Sequence, residues 1–199
     1  MRSRLLRSLV QQPRLPRSWR RGWAWLVLLA ALGLVLVHPA RANDTLLEYR
    51  VKAGFLFNFA KFVQWPEGTF KPEEPLRLGL LAPPDVCATI EQALAGKTIT
   101  GRRLVVERLT AMAEQAPPHI VFVHRSITPL QRRLEELLEG HRILVVGDGA
   151  DFAADGGVIG FTTRGDTLRF QVNLAAAEHA HLQLSGQLAG LAEVVRPRR

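Results

Sequence analysis

Four short runs of strand length constrain the fold of this chain most: Leu76–Ala82, Arg103–Leu109, Ile120–Val123 and Ile143–Val146. Ile120–Val123 and Ile143–Val146 are apolar throughout, as a strand buried on both faces requires. Segments with helical spacing lie between the runs. Cys87–Leu94 follows the Pro83-Pro84 pair, and Ile127–Leu138 puts Leu130, Leu134, Leu137 and Leu138 on one face, with Gln131, Arg132, Arg133, Glu135 and Glu136 on the other. Strands and helices alternating at this spacing predict βαβ units. The expected fold class is therefore α/β: a single domain whose mostly parallel sheet is flanked by helices on both faces. The rhythm then changes. Gly157–Thr163 and Thr167–Val172 flank Arg164-Gly165-Asp166 and predict a C-terminal β-hairpin, and Leu174–Val195 predicts a closing helix with Leu184, Leu188, Leu191 and Val195 at helical spacing.

A first helix is predicted from Leu46 to Gln64, ending before Pro66 because proline disfavours helical geometry in the residue preceding it. Thr45 and Glu48 have the spacing of a capping box. Val51, Phe55, Leu56, Phe59, Ala60, Phe62 and Val63 form a broad apolar arc, while Arg50, Gly54, Asn58, Lys61 and Gln64 make up the narrow remainder. Phe57 projects on the polar side. A phenylalanine there either packs under another element or waits for a partner.

The net charge of +8 suggests nucleic acid or an anionic surface until its distribution is followed. Eight of the 26 Lys and Arg residues, and none of the 18 acids, fall in residues 1–42. The rest of the chain is formally neutral, so nucleic acid is not an expected partner. The same stretch continues as the apolar run Trp23–Val37, then Pro39 and Ala40-Arg41-Ala42. A basic segment, a short apolar run and an A-x-A site predict a secretory signal peptide over residues 1–42. The run is shorter than the roughly 18–20 residues that span a bilayer. Residues 43–199 then form the exported domain, expected in the periplasm. Cys87 is the single cysteine, so stability must come from packing rather than an internal disulfide.

No constellation for catalysis assembles. His179 and His181 diverge if they lie on a helix, so they do not make a metal pair. Asp148, Asp151 and Asp155 lack the spacing and closing glutamate of a calcium loop. Gly147-Asp148-Gly149 stands at a strand's carboxyl end, where open α/β sheets bind ligands, but lacks the remainder of a nucleotide fingerprint and reads as a turn. Ser185 has no glycine two positions before it, as a nucleophile elbow requires. The expectation is a protein without catalytic residues, metal or cofactor.

The segment Glu48–Pro66, EYRVKAGFLFNFAKFVQWP, resembles the opening helix of the YfiR-like periplasmic proteins. The likeness extends to Gly157-Val-Ile-Gly-Phe161, to Arg169-Phe-Gln-Val-Asn173 and to Leu184-Ser-Gly-Gln-Leu-Ala-Gly-Leu-Ala192. It implies a YfiR-like α/β domain over residues 43–199 that represses a membrane-bound diguanylate cyclase by binding its periplasmic part. Cyclic-di-GMP output and biofilm formation would fall. The resemblance also leaves room for an outer-membrane-associated partner protein and for a homodimer. Redox control by an internal disulfide, known in the family, has no second cysteine here. Phe57, Trp65 and Phe161 are the candidate partner-binding residues. A different class of function stays open: a periplasmic small-molecule binder using the crevice near Gly147 and Phe161 and presenting its ligand to a sensor kinase or transporter.

Overall fold

The computed structural model describes residues 39–109, 117–130 and 141–198. Thr45–Arg199 is one compact unit. Residues 1–38 of the expected leader, and the expected helix Ile127–Leu138 beyond Leu130, lie outside the described residues; Arg125–Leu130 itself is a 3-10 helix.

Helix α1 spans Pro39–Phe62 and runs directly into the short strand β1, Val63–Gln64. The helix thus begins before the expected Thr45–Glu48 cap, and the Glu48 carboxylate accepts from Lys52 and Arg125 side chains instead. Next come β2 (Leu76–Leu81), α2 (Pro84–Leu94), β3 (Thr98–Ile99), β4 (Arg102–Arg108) and β5 (Ile120–Val123). They are followed by β6 (Leu144–Asp148), β7 (Ile159–Arg164) and β8 (Thr167–Asn173). Each of the four runs of strand length has become a strand.

The main sheet has eight strands in the order β10-β8-β7-β6-β5-β2-β4-β3, β10 being Glu193–Val195. Strands β4, β2, β5, β6 and β7 are parallel neighbours, while β7 and β8 form the antiparallel hairpin. The chain passes from β2 outward to β4 and returns to β5 on the other side of β2. Strand order therefore reverses between β2 and β5, which makes their carboxyl ends the switch point where open α/β sheets place ligands. The backbone is tied there by the His124 N–H donating to the Leu81 carbonyl at 2.8 Å.

Strand β5 shows why both faces are buried. Ile120 and Phe122 enter the larger apolar cluster, with Tyr49, Leu56 and Phe59 of α1 and Ile90 and Leu94 of α2. Val121 and Val123 point the opposite way, into a smaller cluster with Leu81, Ile143 and Phe152. Alternation across the pleat divides one apolar run between two layers.

The chain's end departs from the expected single helix over Leu174–Val195. It forms α3 (Leu174–His179), β9 (Gln183–Leu184), α4 (Gly186–Leu191) and then β10. Three local causes act together. His181 has φ +56°, a left-handed conformation that stops α3. The Ser185 hydroxyl accepts the Leu188 N–H at 3.2 Å and starts a new helix. Gly186 and Gly190 weaken helical continuity across the segment. The freed backbone then pairs twice: Leu184 and Gln183 antiparallel with Val63 and Gln64, and Glu193–Val195 parallel with Gln171–Asn173.

Candidate functional site

The most unusual chemistry lies at the carboxyl edge of β5 and β6. Asp148 ends β6, Arg125 follows β5, and α1 brings Glu48, Tyr49 and Lys52 to them. Lys52 is 1% exposed and Asp148 5%, burial that charged groups tolerate only when paired. Lys52 Nζ donates to Asp148 Oδ1 at 2.7 Å. Asp148 Oδ2 accepts from the Tyr49 hydroxyl at 2.6 Å and from Arg125 Nε at 3.0 Å. Glu48 Oε1 accepts from Lys52 Nζ and, at 2.9 Å, from Arg125 Nη2. Two cations and two anions thus close a ring: Lys52, Asp148, Arg125, Glu48 and back to Lys52. Its net charge is zero.

The surroundings hold Asp148 and Arg125 in their charged forms. Burial alone would raise the Asp148 carboxyl, but hydrogen bonds from Lys52, Tyr49 and Arg125 outweigh it and keep the group below the ordinary carboxylate range. Burial and the bond to Asp148 push the Tyr49 hydroxyl well up, so it stays a donor. Arg125 is raised because its bond to Asp148 overcomes its partial desolvation. Aromatic rings complete the enclosure: Lys52 Nζ lies 4.6 Å from the Tyr49 ring centroid and 5.6 Å from that of Phe161. The Tyr49 ring in turn sits 5.4 Å from the His124 imidazole. Chemically the arrangement is a clamp. It fixes the face of α1 on the sheet edge where an open fold of this type would admit a ligand.

Two glycines and one phenylalanine shape the backbone beneath it. A Cβ on Gly147 or on Gly157 would overlap the Phe152 ring, so both positions must lack a side chain for Phe152 to lie between them. The Gly147-Asp148 pair, expected as part of a turn, therefore belongs to β6, with one residue serving the packing and the next the ion ring.

Of the candidate partner-binding residues, Phe57 is half-buried, with Lys61 Nζ 4.1 Å and Lys97 Nζ 5.1 Å from its ring centroid. Trp65 is also half-buried; its indole N–H donates to the Arg142 carbonyl at 3.1 Å, and its ring meets Phe70 edge-on. Phe161 is 2% exposed and packs on Phe55, Phe59 and Phe122. Phe161 thus lies inside, beside Lys52, while the other two reach the surface. His179 and His181 are exposed. Asp151 and Asp155 pair with Arg198, which folds back on its own chain. Among the described residues, no group of three or more His, Cys, Asp or Glu is placed to hold a metal, and no helix is long and apolar enough to cross a membrane.

Lys52, Tyr49, Glu48 and Arg125 were not apparent as site residues in the sequence. A usable signal did exist: Lys52 falls among Leu56, Phe59 and Ala60 on the buried side of α1, and a lysine so placed requires an acid.

Comparison with solved structures shows the fold. A conserved domain protein from Vibrio cholerae O1 biovar El Tor strain N16961 matches with a TM-score of 0.51 at 9% identity, over 73% of this chain and 59% of that one. The ABC domain in complex with L-Trp from Streptococcus pneumonia matches with a TM-score of 0.50 at 10% identity, over 70% of this chain and 60% of that one. This chain therefore spans about three fifths of the length of either structure. No curated protein sequence matches it significantly. The family model described as YfiR/HmsC-like matches residues 49–193, from the clamp tyrosine on α1 to the first residue of β10. That match takes in α1 from Tyr49, every sheet strand as far as Glu193 and three members of the ion ring, and the chain belongs to the YfiR/HmsC-like family.

Proposed function

We propose that this chain is an exported regulatory binding protein that represses a membrane-bound diguanylate cyclase from the periplasmic side. Membership of the YfiR/HmsC-like family over residues 49–193 is the observation that carries the reading. The sequence of residues 1–42, with its basic stretch, apolar run and A-x-A site, supports export and a mature chain beginning at Asn43. The protein acts by stoichiometric binding, without turnover, and lowers cyclic-di-GMP and surface attachment. Phe57 and Trp65 contribute to the partner contact directly. Phe161 contributes by seating α1.

Deletion of the gene tests the reading. Cyclic-di-GMP and surface attachment should rise, and the rise should vanish when the partner cyclase is also removed. Unchanged cyclic-di-GMP under conditions of expression would defeat it. Mass spectrometry of the exported protein should find Asn43 at its start; an intact Met1 would overturn the leader assignment.

A further inference from the structure

The outward face of α1 combines two exposed aliphatic side chains with exposed cations. Leu47 is 58% exposed and Val51 47%, one helical turn apart. Val51 was expected in the buried arc; it points to solvent because the ion ring turns Tyr49 and Lys52 inward. Gly54 follows one turn later, and a Cβ there would meet nothing within 4 Å. Asn58 and Lys61 continue the same exposed row. Arg50 flanks it, and so does Phe57 beneath the ammonium groups of Lys61 and Lys97. Among the described residues, no carboxylate lies within ion-pair distance of Arg50, Lys61 or Lys97, although all three are exposed. Residues 43–199 carry equal numbers of basic and acidic side chains, so this clustering of cations is local.

We infer that the Leu47–Lys61 face of α1 is the docking surface for an acidic amphipathic segment of the partner protein, on the reading that the chain is a regulatory binding protein. Leu47 and Val51 would bury against aliphatic side chains, Gly54 would let the partner backbone approach closely, and Arg50, Lys61 and Lys97 would meet its carboxylates. Charge decides among occupants. A second copy docking through the same face would bring Arg50, Lys61 and Lys97 against their own counterparts, since a two-fold interface sets one patch against itself. The chain's first 42 residues carry eight arginines and no acid, so they are repelled too. Like charges juxtaposed across an interface oppose association, and opposite ones steer it.

The test uses cells that lack the chromosomal gene and express the full chain or a variant. Leu47→Glu/Val51→Glu and Arg50→Glu/Lys61→Glu/Lys97→Glu are compared with Arg164→Glu, an exposed control on the β7–β8 hairpin. All should keep the parental melting temperature. Loss of central contacts should weaken partner binding at least about tenfold, so both α1 variants should raise cyclic-di-GMP to the level of the deletion while Arg164→Glu represses normally. A benzophenone amino acid at position 51 should cross-link to an acidic segment of the cyclase's periplasmic part. Full repression by both variants, no protein adduct at position 51, or an adduct only with lipid or a second copy of this chain would overturn the inference. If gene deletion leaves cyclic-di-GMP unchanged, the repressor reading fails, yet an adduct with an acidic segment of another protein would still uphold this face.

Discussion

Lys52 Nζ and Asp148 Oδ1 meet at 2.7 Å across 96 positions of sequence, and their ion pair lies almost wholly out of water. Such a pair is costly to break from one side, because the survivor is left charged and buried. It is much less costly to remove whole.

Asp148→Leu should therefore destabilise the protein by about 3–5 kcal/mol. Lys52→Met should cost less, since Asp148 keeps Tyr49 and Arg125. The double variant Lys52→Met/Asp148→Leu should recover a large part of the Asp148→Leu loss, with Arg125 and Glu48 still paired nearer the surface. Denaturant unfolding of the three variants measures the coupling. Additive losses would show that the two groups do not act as a unit.

Acid should loosen the same clamp. The native Asp148 carboxyl titrates below its ordinary value of 3.8, so its contribution is complete above that pH and is lost as pH falls through the lower native value. Melting temperature followed downward from pH 5 should fall less steeply in Asp148→Asn than in the parent. Equal slopes would place the acid sensitivity elsewhere.

Gly147→Ala should destabilise by about 1–3 kcal/mol through overlap with Phe152, whereas Gly149→Ala, whose Cβ would meet nothing, should be nearly silent. Thermal unfolding of the two separates a packing requirement from a turn requirement. A larger effect at Gly149 would restore the turn as the governing feature of this segment.

Cys87 is buried, its thiol is held up by burial, and its Sγ lies 3.3 Å from the Ala82 carbonyl. Reductant should leave the melting temperature unchanged, and the native thiol should react with a disulfide reagent only as fast as the protein opens. Cys87→Ser should keep both fold and repression, its hydroxyl bonding the same carbonyl. A marked drop in melting temperature on reduction would reveal an intermolecular disulfide.

The strands were legible because their signal is local. Ile120–Val123 and Ile143–Val146 are apolar at every position, and a run of that kind has few places to go except a doubly covered sheet. The hairpin was equally plain from Leu168, Phe170 and Val172 alternating with Arg169 and Gln171. The end of the chain was not: Leu184, Leu188 and Leu191 keep helical spacing, while the left-handed turn at His181 and the cap at Ser185 leave only faint marks. The ion ring was hidden for a different reason. Glu48, Tyr49 and Lys52 lie in one helix turn, but Arg125 and Asp148 stand far downstream, and no periodicity connects them. Val51 shows the same limit in reverse. Its helical angle fitted the apolar arc, and only the inward demand of Lys52 turned it to water.

The pairing of Val63 with Leu184 has a consequence for the order in which the protein takes shape. Helix α1 precedes every strand of the sheet, yet its ion ring waits on Arg125 and Asp148, and β1, which continues the helix, waits on Gln183 and Leu184 for its backbone seam. Contacts this far apart in sequence form slowly, since a long loop must close before any of them rewards the closure. A nascent chain that has reached β5 already owns three strands of its parallel sheet, but of the two acids that hold the Lys52 ammonium it has only Glu48 and still lacks Asp148. Helix α1 is therefore secured by residues made long after it.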